Sequence, residues 1–314
     1  MVLALFVGLT VLSPAPAKPP PLAGRWDLTV TGPRGTYPSW FEISPAGDTL
    51  AGRFQGGFGH ATALASITVQ GRRFRFVWPN EDDRKAPATV IEGRVGDAGR
   101  ITGSMTPASG PRQLFRGVRA PALQRPAPST WGAAVDLLAE GLAGWRVRDG
   151  KPSGWKMHDG VLANEGPSAD LVSRRRFGDF RLHLEVNLPA NGNSGIYLRG
   201  RHEVQVLDGY PDSPGSRRMG GVYGQITPTS FPAKPAGEWQ TFDITLIGRR
   251  VTVVLNGTTI IDDIEIPGIT GGALDSDEGT PGPVMLQGDH TAIQYRNIRI
   301  EPAVAANTTT GRKR

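Results

Sequence analysis

The sequence predicts an all-β protein: a small N-terminal barrel or sandwich followed by a jelly-roll sandwich. Three observations carry that reading. Glycine and proline, 42 and 27 residues, make up more than a fifth of the 314, a level that breaks helix bundles and suits many short strands joined by turns. Apolar and polar residues alternate with period two in one segment after another, as half-buried antiparallel strands require. Hydrophobic residues, 38% of the chain, suffice to fill a core.

Met1–Leu12 is an apolar run of signal-peptide length, and Ala15-Pro16-Ala17 after it has the A-x-A form of a cleavage site. Residues 1–17 are therefore expected to direct export to the periplasm or beyond. Residues 22–120 repeat a turn-and-strand pattern: LAGRW, LAGRF, RFRFVW, IEGRV, ITGSMT. Six or more short strands in that length form a small barrel or sandwich, and Gly24-Arg25-Trp26 resembles the opening of lipocalin-like barrels. No compact catalytic constellation occurs here, so an accessory role is expected. Three prolines make 121–130 a stiff linker, and a basic tail, 304–314, is expected to be disordered.

From Trp131 to residue 303 nearly everything reads as strand and turn. Leu182, Leu184, Val186 and Leu188 alternate with polar residues, Phe242, Ile244 and Leu246 share a face, and Asn256-Gly257 is a two-residue hairpin turn. About a dozen such strands describe two stacked antiparallel sheets. Alternation then sorts the side chains. With Ile196, Leu198, Val204, Val206, Val222 and Leu286 directed inward, the opposite face presents Tyr197, Arg199, Glu203, Gln205, Tyr223, Gln225 and Gln287. Planar groups with several donors and acceptors suit sugar hydroxyls and rings better than an idle solvated face does. Asn193-Ser194-Gly195 reads as a tight loop at the rim. Asp208 falls on the core side, leaving loop capping, metal ligation and substrate binding all open.

These segments resemble, in order, the 3-keto-disaccharide hydrolase domain family (DUF1080), related in fold to concanavalin-like and LamG-like sandwiches. The resemblance covers 131–302. It rests on Leu142-Ala143-Gly144-Trp145, Gly154-Trp155-Lys156 with Asp159-Gly160, Phe177-Gly178-Asp179-Phe180, Asn193 to Arg199 and Glu203 to Asp208. Glu238-Trp239, Asn256-Gly257, Leu286-Gln287 with His290, and Tyr295 to Ile298 complete it. Three places depart from the family: Gly288 lengthens the segment before His290 by one residue, Gln240 replaces an Asn, and Gly220-Gly221-Val222-Tyr223 replaces G-A-x-Y. The resemblance implies cleavage of glycosides already oxidised to a ketone at C3. The ketone acidifies the C2 hydrogen, a base removes it, the C1 substituent leaves, and water adds back. Such a site needs a base, an acid and a donor for the enolate oxygen. Glu203 and His290 are the candidate base and acid, and Arg199 the enolate's partner. Tyr197, Gln205, Tyr223, Gln225, Gln287 and Asp208 are the candidate substrate contacts.

Two other readings stay open: a carbohydrate-binding module without chemistry, and a conventional glucanase. A second carboxylate about 5–10 Å from Glu203 would favour the glucanase, and a His or Arg there the keto-sugar enzyme. No cofactor is assigned, although Asp275, Asp277 and Glu278 could bind Ca²⁺ through oxygens or form a solvated loop. Trp145, Trp155 and Trp239 read as core anchors before sugar platforms. The chain has no cysteine, which excludes disulfides, thiolate metal sites and a cysteine nucleophile. The net charge of +6 is concentrated in residues 18–125, with 15 Lys/Arg against 8 Asp/Glu. That excess is dispersed among turns, so no nucleic-acid partner is expected, and no stretch after residue 12 is long and apolar enough to span a membrane. The expected partner is a disaccharide or other glycoside.

Overall fold

The computed structural model describes residues 21–79, 87–128, 130–150, 152–209 and 214–304. The predicted leader and all but the first residue of the predicted tail lie outside them. Among the described residues there is no α-helix, only 3₁₀ turns at Gly141–Gly144 and Arg148–Gly150.

The N-terminal half forms nine antiparallel strands: β1 Gly24–Gly32, β2 Gly35–Ala46, β3 Thr49–Gln55, β4 Thr62–Ala63, β5 Ser66–Gln70, β6 Arg73–Trp78, β7 Thr89–Val95, β8 Arg100–Thr106 and β9 Gln113–Arg119. Their order is β4-β3-β2-β1-β9-β8-β7-β6-β5. Between β4 and β5, Leu64 donates to Gly52 of β3 and Ala65 donates to Val77 of β6. One passage of chain is thus bonded on both sides, and the sheet closes into a barrel. Of the two architectures open from sequence, closure selects the barrel. Alternation works as expected in Arg73-Phe74-Arg75-Phe76, where the phenyl rings are buried and the guanidinium groups exposed. Trp26, Phe41, Phe54 and Phe115 complete that core.

The C-terminal half continues with β10 Val135–Asp136, β11 Trp145–Val147, β12 Lys156–His158, β13 Val161–Asn164, β14 Leu171–Ser173, β15 Phe180–Asn187, β16 Asn193–Leu198, β17 His202–Leu207, β18 Gln240–Ile247, β19 Arg250–Leu255, β20 Thr258–Glu265, β21 Met285–Leu286 and β22 Ile293–Pro302. One sheet runs β12-β13-β22-β15-β18-β19-β20, with β10 paired to β22, and the other β11-β14-β21-β16-β17. Leu182 sits opposite Ile244 and Leu184 opposite Phe242, so the period-two residues of β15 and β18 share the inner face. Ile196, Leu198, Val204 and Val206 meet them from the other sheet in one apolar core. The Asn256-Gly257 turn has both residues at positive φ, 49° and 81°, as a tight hairpin turn of the I′ kind requires.

Barrel and sandwich meet over a built junction. Trp40, fully buried, donates to the Ile269 carbonyl at 2.8 Å. Glu278, also fully buried, pairs with Arg25 of the barrel and lies 3.4 Å from His202 and 3.7 Å from Arg249. Asp275 takes Arg201 at 2.6 Å, and Asp277 accepts from the Thr280 hydroxyl at 3.1 Å. The acidic run, open from sequence to Ca²⁺ binding or to a solvated loop, spends its oxygens on cations and a hydroxyl of this chain. Among the described residues no cluster of three or more metal-ligating side chains occurs.

Candidate active site

Strand register assembles the site. In the β16–β17 pair Tyr197 lies opposite Glu203 and Gly195 opposite Gln205, and the backbone N–H of Gln287, just past the end of β21, donates to the Gly195 carbonyl. Tyr197, Glu203, Gln205 and Gln287 therefore share the face turned away from the sandwich core. They line a hollow of about 240 Å³ together with Asn193, Tyr223, Arg148, Asp170, Asp289 and His290, and the barrel adds Phe58 and Gly59.

Gly195 makes room at the centre. A Cβ there would lie 2.9 Å from the Glu203 carboxyl carbon and closer still to Oε1, below any normal contact. Gly195→Ala should displace the carboxyl and cut turnover at least tenfold while leaving the unfolding midpoint within a few degrees. Paired kinetics and thermal unfolding check this, and an active Gly195→Ala variant would show that Glu203 need not sit where it does.

Glu203 is 4% exposed, and burial pushes its carboxyl up to about 8. Asp170 and Asp289 add to the rise, and the Tyr197 hydroxyl, 3.0 Å from Oε2, opposes it. Tyr197 itself is held well above the ordinary phenol range, by burial first and by Glu203 second. His290 is half-open to solvent, with Nδ1 2.8 Å from Asp289 Oδ1. Both oxygens of Asp170 are engaged, Oδ1 by the Gly288 amide at 3.0 Å and Oδ2 by Arg148 at 3.1 Å. Arg148 also donates to the Gly272 carbonyl at 2.9 Å. Gln205 donates to Asn193 Oδ1 at 3.0 Å, which leaves its buried Oε1 without a protein partner. An unpaired buried acceptor beside a hollow is a natural contact for a ligand hydroxyl.

The structure brings Glu203, His290, Tyr197, Gln205, Tyr223 and Gln287 together, and does not bring the other three. Strict alternation put Arg199 on the polar face, but β16 ends at Leu198 and Arg199 turns to φ 53°. Its buried guanidinium donates instead to the Gly248 carbonyl. Gln225 donates to the Ile269 carbonyl at 3.0 Å and does not line the hollow. Asp208 Oδ2 accepts from the Asn191 amide at 2.8 Å, the loop-capping alternative. Asn193 to Gly195, expected as a rim loop, are the first residues of β16. Trp145 and Trp155 are buried in the core, and half-buried Trp239 carries the Arg296 guanidinium over its ring. Sequence reasoning missed Arg148, Asp170 and the paired role of Asp289, which sit at strand ends and turns where period two gives no direction. It also missed Phe58, which comes from the other sheet system.

Residues 133–301 match the family described as the 3-keto-alpha-glucoside-1,2-lyase-like domain. A 3-keto-disaccharide hydrolase of Bacteroides thetaiotaomicron is 26% identical over 38% of this chain and 54% of its own length; the chain thus spans about half of that curated relative. A crystallised protein of Parabacteroides distasonis assigned as a glycosyl hydrolase is 29% identical, covering 57% of this chain and 93% of that one, with a TM-score of 0.46. Domain 4 of an extracellular arabinanase from Geobacillus stearothermophilus, solved with arabinotriose, is 12% identical, covering 57% and 95%, with a TM-score of 0.37. Since the family match takes in more than half of the chain and includes every strand of the sandwich except the last residue of β22, this protein belongs to the 3-keto-alpha-glucoside-1,2-lyase-like family.

Proposed function

We propose that the protein cleaves 3-keto-glycosides, disaccharides among them, by elimination across C1 and C2 followed by hydration. One observation carries the proposal: a carboxyl that burial keeps protonated near neutrality shares a sugar-sized hollow with a His–Asp pair. With Nδ1 donating to Asp289, the His290 ring is left with Nε2 as an acceptor, the base for the C2 proton. Glu203, read from the sequence as the base with His290 as the acid, takes the opposite role here: it is the acid, delivering its proton to the departing C1 oxygen as the C2–H electron pair becomes the C1=C2 bond. The Arg148 guanidinium, which lines the hollow, takes over from Arg199 as the charge beside the developing enolate. Gln205 Oε1, Gln287 and Tyr223 hold hydroxyl groups. Water adding across the double bond makes the net change hydrolysis.

A glucanase would need a second free carboxylate. Asp170 and Asp289 do line the hollow with Glu203, but the first is bonded through both oxygens and the second through His290. Export by way of residues 1–17 belongs to the same proposal and rests on the sequence pattern.

The test is incubation with 3-keto-trehalose or 3-keto-lactose in D₂O, with and without chelator. Free sugar should appear with deuterium at C2 beyond what the free keto-sugar exchanges by itself, because hydration returns a solvent hydrogen there. His290→Ala should lower the rate by about 10²–10⁴-fold. Product with an unlabelled C2, or full turnover by both His290→Ala and Glu203→Gln, would overturn the mechanism.

A further inference from the structure

The barrel touches the hollow at one place, the loop from Gly56 to His60 after β3. Phe58 on this loop is 78% exposed, yet the loop carrying it is fixed. Gln55, fully buried, donates to the carbonyls of Gly56, Phe58 and Gly59 at 3.0 to 3.3 Å. The Gly272 amide of the sandwich donates to Gly57 at 3.0 Å. Two sandwich glycines admit the loop at backbone distance. A Cβ on Gly271 would lie 2.7 Å from the Gly59 nitrogen and 2.9 Å from the Phe58 carbonyl carbon, and one on Gly224 would collide with His60. An exposed aromatic ring on a clamped loop is a ligand platform more than a loose apolar surface residue.

The space around Phe58 shows what the platform is for. A second hollow of about 400 Å³ adjoins the central one, sharing Phe58, Gly59 and Tyr223 with it. Its other walls include Trp78, Pro79 and Pro87 of the barrel side and Arg217 of the sandwich side. The Trp78 indole is set by its donation to the Thr62 hydroxyl at 2.6 Å and by packing on Phe54, 4.7 Å between centroids. The central hollow holds the acid, the base and the amide side chains, and is sized for one sugar ring. The adjoining one offers flat aromatic and prolyl walls.

We infer that the barrel completes the substrate cleft, Phe58, Trp78 and Tyr223 forming a subsite for the substrate's leaving group, a ring-bearing C1 substituent that presents a flat apolar face. This rests on the proposed keto-glycoside reaction for what occupies the central hollow. The family's matched region starts at residue 133, so a platform at Phe58 is a property of this chain's own N-terminal half.

The experiment compares methyl 3-keto-α-glucoside, whose leaving group is methanol, with 3-keto-trehalose, whose leaving group is a sugar ring, in the full chain. Phe58→Ala should reduce kcat/KM on 3-keto-trehalose at least tenfold more than on the methyl glycoside, chiefly through KM, and Phe58→Tyr should restore most of the difference. Equal losses on both substrates, or none on either, would overturn the subsite while leaving the reaction standing. If the unaltered protein cleaves neither compound, the reaction itself falls. Saturation-transfer NMR with the same two uncleaved glycosides then decides the subsite: contact of the second ring that disappears in Phe58→Ala supports it, and second-ring contact unaffected by the substitution, or none in either protein, refutes it.

Discussion

Glu203→Gln should cut turnover steeply and, at the same time, stabilise the fold at alkaline pH. The two effects share one cause. In the unfolded chain this carboxyl ionises near pH 4.3, whereas in the native protein burial holds the proton on to about 8. Between those values the native state binds more protons than the unfolded state, so unfolding free energy falls as pH rises through that window. Below pH 4 both states are protonated and nothing is lost; above 8 the full penalty is present. At 1.36 kcal/mol per unit of displacement the penalty is on the order of a few kcal/mol. Glutamine keeps the shape and removes the ionisation. Its unfolding midpoint should therefore diverge upward from that of the unaltered protein between pH 5 and 8, while kcat drops by about 10²–10⁴-fold. Parallel midpoints across that range would mean that Glu203 is ionised at ordinary pH, and with it the acid role would go. The same titration sets the activity profile: a reaction that needs the neutral carboxyl should decline as pH passes 8.

The second large effect is expected at the junction. Glu278→Ala removes a fully buried carboxylate on which Arg25, Arg249 and His202 converge. Breaking a buried ionic cluster by deleting one partner typically costs about 3–5 kcal/mol, because the remaining charges stay desolvated. A fall of that size in denaturant stability is the expected result, with Glu278→Gln costing less. Asp27 supplies an internal check. Burial, and after it Glu278, holds its carboxyl up to about 7, so in Glu278→Ala it should titrate at lower pH in NMR. A variant of unchanged stability would show that water reaches the junction and solvates the cations.

Much of the site was readable because period two and sheet register are local rules. Tyr197, Glu203, Gln205 and Gln287 were placed on one face by alternation alone; the pairing of β16 with β17 set the first three together, and the Gln287 backbone bond to Gly195 brought in the fourth. The same rule failed one residue past its domain, at Arg199, where a left-handed turn ends the strand. Arg148 and Asp170 hold each other across a turn and a strand end, a pairing between residues 22 apart that no periodicity announces. The acidic run at 275–278 was chemically ambiguous until its partners were seen, since carboxylates that suit Ca²⁺ suit guanidinium groups equally well. Barrel and sandwich could not be told apart in the first half because closure depends on two hydrogen bonds, from Leu64 and Ala65, to strands on opposite sides. Phe58 was invisible for a different reason: its loop matters through contact with residues far along the sequence, Gly224, Gly271 and Gly272 among them.

The outermost strand of the larger sandwich sheet, β20, bears on how crowded molecules of this protein behave. An unpaired strand margin invites another chain to continue the ladder. Here the margin carries Asp262, Asp263 and Glu265, Asp263 sits in a left-handed bulge at φ 48°, and the register against β19 slips twice. Charged side chains, two of them paired with Arg250 and Arg249, and an irregular backbone make this rim a poor template for a neighbouring copy, so concentrated solutions should resist fibrous association along it.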